Sequence, residues 1–113
     1  MLPKISAIFY GNPDRYPPII NGVRLLAKNG YHIDVLCRNT GEKPNVNYPQ
    51  NVRIIRIGSP TKSSLSEYTQ FNKKVFQLFD RATALLIGHD MHALFPARLL
   101  SSIYHRPLIY QSH

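Results

Sequence analysis

Two short apolar runs near the end of the chain each hand polar groups to the point where a strand would stop. Ala84-Leu85-Leu86-Ile87-Gly88 leads into His89-Asp90, and Pro107-Leu108-Ile109-Tyr110 leads into Gln111-Ser112-His113. Runs of this length without polar alternation fit strands buried on both faces of a parallel sheet, and loops leaving the carboxyl ends of such strands gather ligand-binding groups along one rim. The pattern demands helices on the sheet faces, and the rest of the sequence supplies them.

Ile5 to Tyr10 is a β-type run closed by the turn cluster Gly11-Asn12-Pro13-Asp14. Pro17-Pro18 opens a helix whose Ile19, Val23, Leu26 and Ala27 share a face until Asn29-Gly30 stops it; Gly22 on that face is expected to permit close approach to the sheet. Tyr31 to Arg38 is a second strand and Val52 to Ile57 a third, separated by a loop over 39–51. The arginines at 53 and 56 imply a wet face or an edge. Ser64 and Glu67 have the spacing of a capping box, followed by Tyr68, Phe71, Val75, Leu78 and Phe79 at helical intervals, Tyr68, Phe71, Val75 and Phe79 being assigned to the core. Strand four spans 83–88, and a helix with Leu94, Phe95, Leu99 and Ile103 leads to strand five at 107–111. Pro96 lies near the start of that helix or kinks it. The order β-α-β-β-α-β-α-β implies one domain over 1–113: a doubly wound, mostly parallel sheet of about five strands with helices on both faces.

Fourteen Lys plus Arg against six Asp plus Glu give a net charge of +8, which favours anionic partners such as phosphorylated substrates or anionic lipid headgroups. The cations are scattered and not interleaved with aromatics, so the sequence gives no nucleic-acid footprint. Lys73-Lys74 is a candidate for peripheral contact with an anionic membrane. The single cysteine, Cys37, ends an apolar run and reads as a buried, reduced thiol, which points to the cytoplasm. No apolar run approaches the roughly 20 residues of a transmembrane helix.

In this topology the loops after strands one, four and five leave one rim. Gly11, Asn12, Asp14 and Arg15 are thereby expected beside His89, Asp90 and Ser112-His113. The helix opening near Pro17 is expected to offer free backbone N–H groups and a positive dipole end to phosphate oxygens, with Gly11 letting a ligand approach the backbone. A dinucleotide fingerprint is missing, because no further glycine follows Gly11 at the required spacing and Arg38 stands where an acidic residue is needed. His89 and His92 lie three apart, yet no regularly spaced third ligand supports a metal site, and Asp90 also fits a helix cap. His113, past its strand, is suited to hydrogen-bond a reacting hydroxyl or a diphosphate.

Three stretches together resemble the amino-terminal half of a retaining glycosyltransferase of the GT-B type, family 4. They are Asn21 to Leu36, Gly88-His89-Asp90-Met91-His92-Ala93-Leu94-Phe95-Pro96-Ala97, and Pro107 to His113. The resemblance implies a Rossmann-like acceptor domain that packs in the family against a carboxyl-terminal domain holding a nucleotide-diphosphate sugar. That sugar is a co-substrate; no cofactor or metal is implied. It also implies His113 as the catalytic histidine beside the donor phosphate, His89 and Asp90 as cleft residues, and the loop of Gly11, Asn12, Asp14 and Arg15 as a contact to a sugar or lipid-linked acceptor. The first loop lacks the paired glycines of the commoner family form. The expectation is therefore a truncated acceptor half, inactive alone and dependent on its missing domain or a partner chain. The alternative is a non-catalytic α/β binding module or one subunit of a two-chain glycosyltransferase.

Overall fold

The computed structural model describes residues 3–60 and 64–111. Five strands, β1 (Lys4–Phe9), β2 (His32–Arg38), β3 (Val52–Ile57), β4 (Thr83–Gly88) and β5 (Leu108–Tyr110), form one sheet in the order β3-β2-β1-β4-β5. Every pairing is parallel. The helices are α1 (Pro17–Lys28), α2 (Leu65–Leu78) and α3 (Met91–Tyr104), and a 3₁₀ turn spans Pro13–Arg15. The architecture is the Rossmann-like α/β one that the alternation of elements implies. No helix among the described residues is long and apolar enough to cross a membrane.

Alternation along each strand divides the core in two. Ile5, Ala7 and Phe9 of β1 join Ile33, Val35 and Cys37 of β2 under Ile19, Val23 and Ala27 of α1. On the other face Ile8, Leu36 and Leu86 pack beneath Phe71, Val75 and Phe79 from the α2 segment and Ala93, Ala97 and Leu100 of α3. Each fully buried Ile or Leu contributes about 1.5–3 kcal/mol relative to exposure. Two sequence expectations fail here. Gly22 is exposed on α1 and a Cβ there would meet nothing within 4 Å, so it makes no approach to the sheet. The run ending in Ile109-Tyr110 is not a strand buried on both faces: β5 is an edge strand, with Ile109 46% and Tyr110 40% exposed.

The helix ends follow local chemistry. Gly30, at φ 95°, takes the left-handed position that stops α1, its N–H bonding Ala27 O. Ser64 Oγ accepts from Glu67 N at 3.1 Å to start α2, while the Glu67 carboxylate pairs with Arg38 at 2.6 Å. In α3, Pro96 lies inside the helix and has no N–H for the carbonyl of His92 four residues back; the Tyr68 hydroxyl donates to that carbonyl instead, at 2.5 Å. The arginines of β3 are not simply solvated. Arg53 forks onto Asp34, which also takes Lys4, and Arg56 reaches Asp14.

Candidate functional site

Between β1 and β4 the strand order reverses, and the chain leaves these neighbours toward opposite faces, into α1 and α3. A crevice opens at their carboxyl ends, as at the ligand sites of open α/β sheets. Its cavity of about 370 Å³ is lined by Phe9, Tyr10 and Tyr16 on one side, His89, Asp90, Met91 and His92 on the other, and Tyr110 from β5. No lysine or arginine among the described residues lines it.

The aromatic wall is braced from behind. Tyr10 packs edge-on against Tyr68 and Phe71, with ring centroids 5.1 and 5.0 Å away, and lies 5.4 Å from the His92 ring at a tilt of 34°. The Arg38 guanidinium, fixed by Glu67, sits 5.4 Å from the Tyr10 ring centre. Tyr16 meets Phe9 edge-on at 4.9 Å. These contacts hold the rings in place before any ligand arrives.

His89 is buried, and its backbone N–H donates to Ile8 O at 3.0 Å, extending the sheet one step into the cleft. Asp90 caps α3: its Oδ1 accepts from Ala93 N at 2.7 Å. One carboxylate thus starts the helix and borders the crevice.

The first loop is spent on itself. Asn12 Oδ1 accepts from Asp14 N and from Arg56, and the buried Asp14 carboxylate accepts from Arg56 at 3.0 Å and from the Tyr48 hydroxyl at 2.9 Å. Burial, and then that hydrogen bond, raise the pKa of Tyr48 well above its ordinary value. Arg15 is exposed and pairs with Glu42 at 2.5 Å. Gly11 is filled from within, since a Cβ there would lie 2.8 Å from the Phe9 ring. Gly11, Asn12, Asp14 and Arg15 do not line the cavity; Tyr16, at the end of their loop, does. The expected phosphate cradle at α1 is also corrected. Pro17 and Pro18 carry no N–H, and Ile19, the next residue, is buried and donates to Tyr16 O. Behind the loop, burial pushes the Cys37 thiol up to about 12, so it stays protonated at neutral pH.

No family model matches the sequence, and no curated protein matches it significantly. Solved structures do match. A sucrose-phosphate synthase from Thermosynechococcus elongatus superposes with a TM-score of 0.71 at 16% sequence identity, over 99% of this chain and 33% of that one. The chain shares that fold. It spans about a third of the neighbour's length.

Of the residues singled out in the sequence, the structure brings His89 and Asp90 into the crevice; Ser112 and His113 lie outside the described residues. Tyr10, Tyr16, Met91 and Tyr110 line the cavity without being singled out by the sequence, where His92 stands only as a metal-ligand candidate. The available signal was positional: Tyr10 and Tyr110 stand at the carboxyl ends of apolar runs, where a core role ends and a rim role begins.

Proposed function

We propose that this chain is the acceptor-binding portion of a GT-B type, family 4-like glycosyltransferase that moves a sugar from a nucleotide-diphosphate donor to a hydroxyl with retained configuration. The observation that carries the reading is the crevice at the strand-order reversal, where aromatic rings and the His89-Asp90 pair converge, in a fold shared with a sucrose-phosphate synthase. Ring faces stack on the apolar faces of a pyranose, while a carboxylate and imidazoles accept and donate to its hydroxyls. With no lysine or arginine among the described residues of the lining, the acceptor part held here is read as an uncharged sugar or polyol, an anionic or lipid portion lying outside the cavity.

The chain's contribution to transfer is positioning. Braced rings fix the acceptor ring plane, Asp90 and His89 orient its hydroxyl, and the departing diphosphate of the donor takes the hydroxyl proton. His113 is assigned to the donor phosphate and transferred sugar, which a second domain or partner chain holds. The reaction belongs in the cytoplasm, where nucleotide sugars are supplied.

The test is a titration of the isotope-labelled chain with neutral monosaccharides, sugar phosphates and nucleotide diphosphates, followed by amide chemical shifts. Neutral sugars are expected to move Tyr10, His89, Asp90, Met91 and Tyr110, with Asp90→Asn weakening binding about tenfold, the loss of one charge-assisted hydrogen bond. Nucleotide diphosphates alone are expected to leave these amides in place. Shifts confined to nucleotide diphosphates, or none at the crevice with any sugar, would refute the reading.

A further inference from the structure

One imidazole in the crevice wall is held by its ring and its backbone at once. His92 stands in the first turn of α3, on an exposed position that borders the cavity. Its ring lies 5.4 Å from the Tyr10 ring at a tilt of 34°, and the Tyr68 ring meets it edge-on, at 5.6 Å and 80°. The Tyr68 hydroxyl also donates to the His92 carbonyl, so the same side chain fixes the backbone from which the imidazole projects. These contacts leave the ring little freedom to turn. Its nitrogens stay uncommitted: among the described residues no protein group hydrogen-bonds them. Asp90 differs, since one of its oxygens is taken by Ala93 N. Tyr68 stands behind the wall and is not among the described residues that line the cavity, yet it touches the Tyr10 ring, the His92 ring and the His92 carbonyl.

We infer that His92 is the crevice residue that tells one hydroxyl configuration of a sugar from its epimer, and that Tyr68 is the positioning residue that aims it. The inference rests on the reading of the crevice as a sugar site. An imidazole presents its two nitrogens in fixed directions within the ring plane. Once stacked tyrosines set the plane of a pyranose, a nitrogen held in that frame reaches a hydroxyl of one configuration and misses the same hydroxyl inverted; the epimer forfeits a bond that stacking does not replace. An imidazole free to turn would follow either hydroxyl and select neither. Selection therefore comes from immobility, and immobility comes from α2, a helix that contributes none of the described lining residues.

The experiment titrates the full chain with glucose, galactose and mannose and reads affinities from amide and imidazole chemical shifts. A preference of about fivefold among these epimers is expected, the size of one hydrogen bond. His92→Ala, on an exposed position, is expected to bring the affinities within about twofold of one another. Tyr68→Phe keeps the ring and removes the hydroxyl; it should shift the His92 ring signals and lower the preference at least about twofold. Thr69→Ala, which removes a hydroxyl bonded to Leu65 O on the same helix, should change neither. In a chain already carrying His92→Ala, Tyr68→Phe should leave every affinity where it was, because its effect passes through the imidazole. A preference that survives His92→Ala overturns the proposal, and that arm does not depend on how the Tyr68 variant folds. Equal weakening of all the sugars by Tyr68→Phe overturns it too, since the hydroxyl would then support the wall without aiming His92. Binding by the unaltered chain without preference sinks this inference alone, whereas absence of any sugar binding at the crevice sinks the sugar reading and this inference with it.

Discussion

The two loops that face each other across the crevice use their polar residues in opposite ways. Between β1 and α1, Asn12 and Asp14 are turned inward to Arg56 and Tyr48, and the loop presents the Tyr16 ring. Between β4 and α3, Asp90 Oδ1 accepts from Ala93 N at the start of the helix, and His89, Asp90 and His92 all border the cavity. A polar turn residue therefore does not announce a binding role. What decides is whether a buried partner lies within reach; β3 supplies Arg56 behind the first loop.

The largest way to break this contrast is Asp14→Ala. It leaves Arg56, 20% exposed, without its carboxylate and removes the acceptor of the Tyr48 hydroxyl. A loss of about 3 kcal/mol in urea unfolding is expected, with Tyr16 losing its place beside Phe9. A loss under about 0.5 kcal/mol, in the range of an ordinary surface change, would mean that the loop is not held by this pair.

Asp90→Ala comes next. Removing the cap is expected to cost about 1 kcal/mol, while Asp90→Ser keeps most of that stability and still weakens sugar binding. If serine restored both, Asp90 would be a cap alone.

The smallest effect separates rim from base. Lys4 bridges Asp34 and Asp80 at the opposite end of the strands. The Lys4 hydrogen bond holds the Asp80 carboxyl below its usual 3.8, so its contribution is present above that pH and fades as pH falls through the depressed folded value. Burial opposes charge on Lys4, but hydrogen bonds to Asp80 and Asp34 outweigh it and raise its pKa above 10.5; that contribution is complete below this pH and fades as pH rises past the folded value. Melting temperatures measured from about pH 2 to about pH 11 should show a plateau between these limits. Asp80→Asn should flatten part of each limb without moving sugar affinity.

The sheet was readable because its strands are bounded by turn residues and its helices by Pro17-Pro18, Gly30 and the Ser64 cap. His89 and Asp90 were readable because they follow an apolar run directly. The hydrogen-bond partners of Asn12 and Asp14 were hidden: Arg56 and Tyr48 lie more than thirty residues away in sequence, and Arg56 comes near only through the parallel pairing of β1 with β2 and of β2 with β3. The buried face of α3 is hidden for a related reason. Phe95, Leu99 and Ile103 lie at four-residue steps, but the sheet takes Ala93, Ala97 and Leu100, a choice that composition does not reveal. Pro17-Pro18 carried its own correction, since two imino acids cannot offer amide protons to a phosphate.

Pro96 works at a distance from the residue that carries it. By withdrawing one amide proton it leaves the His92 carbonyl to be claimed from the neighbouring helix, and Tyr68 claims it. The missing bond becomes a strut between α2 and α3. That strut meets the Tyr10 and His92 rings at the crevice wall, so a gap in one helix helps to set the width of the cleft.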